Sequence, residues 1–117
     1  MSRNTSEYTV KFAPYLREYI KSQSEEAIAA FYNEIHPLLY RVAYSFVENR
    51  ADAEDVLQTA FLKIMTSLDQ CKGLDEDDNE SIKAWCLSIV RNESRMKIRS
   101  QKSRKQREIK VSERLCV

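Results

Sequence analysis

SEEAIAAFYNEIHPLLYRVAYSFVENRADAEDVLQTAFLKIMTSL, residues 24–68, decides the fold. Ser24 suits an N-cap, and Glu25 and Glu26 follow in the first turn, where the helix dipole favours acids. Ile28, Phe31, Tyr32, Ile35, Leu39, Val42, Ala43 and Phe46 then recur every three or four residues. That is the period of one buried helix face, running to about Val47. Pro37 interrupts it. An interior proline costs roughly 3 kcal/mol and removes a backbone hydrogen bond, which predicts a kink or a break near residues 35–37. Residues 48–51 form a short connection. Asp52 is the next expected N-cap, with Asp55 at N3 as an imperfect capping box. Ala53, Val56, Leu57, Ala60, Phe61, Ile64 and Leu68 make the buried stripe of a second helix ending near Leu68. Asp55, Gln58, Thr59, Leu62 and Met65 form a second, mixed stripe on the same helix.

Working outward, Pro14 is placed for the first turn of a short helix with Tyr15, Leu16, Tyr19 and Ile20 on one face. Residues 69–80, DQCKGLDEDDNE, hold the only glycine and five acids after Asp69, without periodicity, and read as a long loop. Ser81 is the expected cap of the last helix, whose Ile82, Trp85, Cys86, Ile89 and Val90 face inward. Past Val90 the apolar stripe thins, and Arg91, Arg95 and Arg99 line up four residues apart. Residues 100–110 are basic and read as fraying into a linker. The expected fold is all-α, a compact bundle of three to four helices. Its parts are an N-terminal extension (1–23), the helical domain (24–100) and a basic tail or the start of a linker (101–117).

Composition agrees with this class. One Gly and two Pro in 117 residues, with 43% hydrophobic residues, leave too few turn formers for a β-sandwich or an α/β sheet. The net charge of +1 conceals segregation: residues 1–80 carry 8 Lys/Arg against 15 Asp/Glu, and residues 81–117 carry 11 against 3. An acidic body with a basic end implies two kinds of partner, a polyanion being the natural one for the basic end.

Cys71, Cys86 and Cys116 have neither disulfide nor zinc spacing, so a reducing cytoplasm is the expected setting. Cys86, on the buried stripe, is expected to react slowly with thiol reagents, and Cys71 and Cys116 quickly. No signal peptide and no apolar run of membrane-spanning length are present, so no membrane insertion is expected. The sole histidine, His36, precedes a proline, and there is no Gly-rich phosphate loop or paired carboxylate site. No catalytic set, metal site or cofactor is therefore expected. The acids at 75–78 lack the ligand spacing of a calcium loop. A helix that anchors one end in the core and presents arginines at the other is suited to phosphates.

Two motifs, DAEDVLQTAF (residues 52–61) and AWCLSIVRN (84–92), occur in order at the separation found in a known family. Residues 24–105 resemble region 2 of sigma-70-type transcription initiation factors, most closely the extracytoplasmic-function (ECF) group. The resemblance implies that Asp55, Gln58, Thr59, Leu62 and Met65 dock on the clamp of the β′ subunit of core RNA polymerase. It implies that Lys83, Arg91, Asn92, Arg95 and Arg99 recognise and melt the promoter −10 element on the non-template strand. Lys72, Gly73, Leu74 and Asp75 match a loop that cradles a flipped base. An anti-sigma factor is a further partner of this group. The domain that binds the −35 element is expected from a longer factor or from a separate chain.

Trp85 shares a face with Ile82 and Ile89, which favours burial over base contact. Asn92 fits either a backbone contact or a base contact. Three positions depart from the family pattern: Thr59 replaces a usual Glu, Ser88 replaces a frequent Arg, and the loop is longer and more acidic. These departures favour the alternative, a clamp-binding regulator without independent promoter recognition. An enzyme built on the acidic loop has little support.

Overall fold

The computed structural model describes residues 12–75 and 78–115; for Lys72, Asp75 and Leu115 only the backbone is described. Expectations placed on residues 1–11, on most of the acidic run at 75–78 and on Cys116 lie outside that range. Among the described residues the chain is helical throughout, with no strand. The helices are α1 (Ala13–Ser22), α2 (Glu25–Val47), α3 (Arg50–Thr66), a 3₁₀ turn (Leu68–Gln70), the short α4 (Lys72–Asp75) and α5 (Asn79–Leu115). Helices α2, α3 and α5 pack pairwise, α1 lies on α2, and α4 sits against the start of α5.

Sequence chemistry explains most boundaries. Ser24 caps α2, its hydroxyl accepting from the Ala27 N–H at 3.2 Å. α3 begins earlier than expected, and the cap is Asn49 instead of Asp52. The Asn49 Oδ1 accepts from the Asp52 N–H at 2.8 Å, and its Nδ2 donates to the Asp52 carboxylate at 2.6 Å. Asp52, at N3, thus holds the Asn49 side chain in its capping position, a variant of the capping box in which the return bond goes to the side-chain amide. The last helix likewise starts two residues before Ser81. Asp78 Oδ1 accepts from the Ser81 N–H (3.3 Å) and Oδ2 from its hydroxyl (2.7 Å), which hold the Asp78 carboxyl below its usual range.

Three expectations are corrected. Of the kink or break expected at Pro37, the break is absent: α2 runs unbroken for 23 residues with Pro37 inside it. Both Pro37 and Asn33, whose carbonyl loses its helical donor, are exposed, so the lost bond lies on the solvent side of the helix, where it costs least. Residues 69–80 are not one irregular loop: the 3₁₀ turn and α4 occupy much of the stretch. Residues 100–110 do not fray, because α5 is continuous to Leu115, 37 residues in all.

The core gathers Phe31, Ile35, Leu39 and Ala43 from α2, Ala53, Val56, Leu57, Ala60 and Ile64 from α3, and Ile82, Cys86 and Val90 from α5. Phe12, Ala13 and Leu16, in the stretch read as an extension, belong to the same buried cluster. Phe31 is its centre, meeting Phe12 edge-on at 5.6 Å and Phe61 in a stacked pair at 6.1 Å. Trp85 is half-buried against this core. Two polar contacts bring α1 to the end of the acidic segment. The Phe12 N–H donates to Asn79 Oδ1 and Arg17 Nη2 donates to the Leu74 carbonyl, both at 2.7 Å.

Cys71 is buried, 3% exposed, against the expectation that it is reactive. Burial, with Cys71 close by, pushes the Cys86 thiol up to about 12. Gly73 permits the close approach of α4 to α5: a Cβ there would meet the Ser81 Cβ at 2.7 Å and the Ile82 nitrogen at 2.9 Å. Gly73→Ala is expected to lower stability by roughly 1–3 kcal/mol, as overpacking does, and to speed alkylation of Cys71, whose burial is expected to make it slow in the wild type. Urea melts and mass spectrometry after brief iodoacetamide treatment measure both. Between pH 9 and about 12 only the unfolded state ionises Cys86, so wild-type stability falls there and its advantage over Cys86→Ala narrows.

Candidate protein and nucleic-acid interfaces

Helix α3 carries two faces because its apolar residues repeat on one side only. On the outer side Asp55, Gln58, Thr59 and Leu62 are exposed, and Met65 is half-buried against the core. Leu62 is 66% exposed, the most open large apolar side chain among the described residues. An exposed leucine ringed by Asp55, Gln58 and Thr59 has the make-up of a protein interface, an apolar anchor with a polar rim. All five residues expected there are brought to one side of the helix.

Helix α5 shows the same division. Ile82, Cys86 and Val90 are buried, whereas Arg91, Asn92, Arg95 and Arg99 are all exposed. Residues four apart advance slowly around a helix, so the arginines form a gently winding strip with Asn92 on its flank. Asn92 donates only a long contact, 3.9 Å, to the Met96 sulfur. Its amide is thus open to solvent and does not satisfy a neighbouring backbone group. Lys83 stands about two turns before Arg91 and is ion-paired to Glu80 at 3.2 Å, apart from the arginine strip. Ser88 lies exposed among these residues, its hydroxyl donating to the Trp85 carbonyl at 2.7 Å.

The segment matched to base capture is built differently from the expectation. Leu74 is 6% exposed and Gly73 is buried, so both serve the seat of α4 on α5. The side chains of Lys72 and Asp75 are not described.

A polar seam joins the two interfaces, running antiparallel along α3 and α5. Lys63 pairs with Glu93, which is 7% exposed. Lys97 lies between Asp52 (3.9 Å) and Asp55 (3.4 Å), and the Gln101 amide donates to Asp52 at 2.7 Å. Bonds from Gln101 and Asn49, with Lys97 and Arg104 nearby, hold the Asp52 carboxyl below its usual range. Ser94, wholly buried beside Glu93, has no hydrogen-bond partner for its hydroxyl among the described residues.

Sequence reasoning missed Lys97 as a seam residue, since no local signal couples positions 42 residues apart. It also assigned Phe46 to the buried stripe. Phe46 is half-exposed, and its ring lies under the Arg95 guanidinium, 5.7 Å from centre to Cζ. A ladder of rings, Tyr32, His36, Tyr40 and Tyr44, follows the outside of α2 and meets Phe61 of α3 through Tyr32.

Among the described residues no helix is long and apolar enough to cross a membrane. No group of three or more His, Cys, Asp or Glu among them is placed to hold a metal ion. Residues 31–104, well over half of the chain, match the family model described as Sigma-70 region 2. The match covers most of α2, all of α3 and α4, and α5 through the arginine strip. No curated protein and no solved structure matches.

The seam has a testable acid response. The depressed Asp52 carboxyl stays charged in the folded state, so its contribution is fully present above pH 3.8 and is lost as pH falls through its lower native value. In NMR titrations the Gln101 side-chain amide signals are expected to move with that transition, and in Asp52→Asn they are expected to stay fixed.

Proposed function

The chain belongs to the sigma-70 region 2 family, a domain of RNA polymerase initiation factors, and from that premise we propose that it docks on the polymerase through α3 and captures the −10 strand of promoter DNA through α5. The docking surface is the face of Asp55, Gln58, Thr59, Leu62 and Met65, and its partner is the coiled-coil clamp of the β′ subunit. The observation that carries the reading is the exposure of Leu62 amid polar residues, on a helix whose opposite side is wholly used by the core. The strand-binding surface is the strip of Arg91, Arg95 and Arg99, whose guanidiniums hold the phosphates. Asn92, with its amide open, reads a base edge. Lys83 joins the strand-binding surface at the start of α5 where a phosphate displaces its Glu80 partner, and the surface beside α4, whose own Gly73 and Leu74 are buried, is where a flipped base is held.

Phosphate contacts position a strand without reading it, whereas base contacts specify it. The arginines and Asn92 therefore have separable roles. Capture of an unpaired strand lowers the cost of opening the duplex, since each stacked or pocketed base contributes ~1–3 kcal/mol. The two motifs at 52–61 and 84–92 support assignment to the ECF group. The cytoplasm is the setting such a role requires.

Calorimetry against a β′ clamp fragment tests the docking face. Asp55→Arg and Leu62→Glu are each expected to weaken binding about tenfold or more, the scale of a central interface contact, with helicity unchanged. Unaltered affinity in both variants would remove α3 from the docking role. Competition titrations, with and without core polymerase, test the strand. Arg91→Ala and Arg99→Ala should weaken all single-stranded sequences alike and flatten the salt slope by about 0.7 per lost contact. Asn92→Ala should change the ranking of −10 sequences. Intact clamp binding with indifference to sequence would favour a regulator that does not use promoter DNA.

A further inference from the structure

Phe46 is an aromatic residue with no place in the hydrophobic core. It comes one turn after the α2 stripe of Leu39, Val42 and Ala43, yet it is neither buried nor among the half-buried residues packed on the core. Its ring is covered instead by the Arg95 guanidinium of α5. The 5.7 Å separation is within the roughly 6 Å over which a cation is attracted to a ring face.

The contact differs in kind from those made by other cations near the two interfaces. Lys63, Lys83 and Lys97 each donate to carboxylates, and so does Arg50, to Glu54 at 3.4 Å. Such a pair neutralises the charge and occupies the donors that an incoming anion would need. Stacking on a ring does neither. A guanidinium carries its N–H groups in its plane and its stacking surface above and below, so a ring can hold it while every edge stays open. Of the three arginines on the strip, Arg95 alone has, among the described residues, a partner that fixes it; Arg91 and Arg99 are exposed. Holding a long side chain in place before binding removes part of the ordering cost that binding otherwise carries.

We propose that Phe46 is a positioning residue for Arg95: its ring fixes the guanidinium, edges outward, to receive a phosphodiester oxygen of the bound strand. The proposal rests on the strand-binding role of α5 argued above and adds to it a residue from α2.

The test is a double-mutant cycle on the full chain, using fluorescence anisotropy with a labelled oligo(dT) strand at low salt. This probe reports phosphate contact without base readout. Phe46→Leu keeps an apolar side chain and removes the ring; it is expected to weaken binding about two- to five-fold, the scale of an exposed cation–π contact. Phe46→Trp is expected to restore or improve binding, tryptophan being the best ring for a cation. In an Arg95→Ala background, Phe46→Leu is expected to cause no further loss. Circular dichroism and thermal melts establish that each variant is folded. A loss of equal size in the Arg95→Ala background, or no loss in folded Phe46→Leu beside a weakened Arg95→Ala, overturns the positioning role alone. Undiminished binding by Arg95→Ala, or no binding by the wild type, overturns the strand-contact role of Arg95 and the proposal with it.

Discussion

The antiparallel seam between α3 and α5 is the constraint on which the rest of the molecule depends. Each helix buries one side in the common core and leaves the other exposed, so their mutual rotation sets where the two exposed faces point. Apolar packing alone tolerates rotation, because its attraction has no direction. The polar contacts supply the direction. Lys63 meets a Glu93 that is almost buried, and Asp52 is gripped by Gln101 and Asn49 at once. Removing Lys63 would leave the Glu93 carboxylate charged in a poorly solvated place, the costlier way to break the pair. The buried hydroxyl of Ser94, without a partner among the described residues, adds a small side chain where the helices approach, and packing there takes precedence over satisfying the group.

That arrangement gives Asp55 a double character. It belongs to the exposed face of α3 and also receives Lys97 from α5 at 3.4 Å. Lys97 is thereby partly neutralised, whereas the arginine strip, on the side of α5 away from the seam, keeps its charge. The same partition explains how an acidic body tolerates a basic helix: opposite charges meet at the seam, and the unmatched arginines lie on the far side.

Much of this was legible in the sequence, and the failures have physical causes. The stripes of α2 and α3, the Ser24 cap and the exposed strip of Arg91, Arg95 and Arg99 follow from helical periodicity. Asn49 and Asp52 are both good caps three residues apart, so composition alone did not reveal that they cap reciprocally. The helical turn at 72–75 has no local signal, because the bond that supports it, from Arg17 to the Leu74 carbonyl, spans 57 residues. The site was legible as two faces but not as residues acting in pairs. Phe46 illustrates the limit: periodicity assigned it to the core, but α5 leaves the end of α2 open enough for a guanidinium instead of an apolar side chain. In α5 beyond residue 100 the vanishing apolar stripe was taken for fraying. Gln, Lys, Arg and Glu, which dominate that stretch, are strong helix formers and need no buried face to favour the helical state.

The far end of α5 is a helix of a particular thermodynamic kind. From Lys102 to Arg114 every residue is exposed, including Ile109 and Val111, and at 1.5 Å per residue the stretch spans about 20 Å. A peptide of that length is only marginally helical by itself, because the first turn is costly to nucleate. Here nucleation has already occurred in the half of α5 pressed against the core, and the remainder grows from that template at the small cost of propagation. Its order is therefore graded from the root to the tip, where a two-state core is all or none. Warming is expected to loosen its exposed turns before the bundle melts. Salt screens repulsion among its like charges, and an anionic surface laid along it would have the same effect, extending the ordered length without altering the fold.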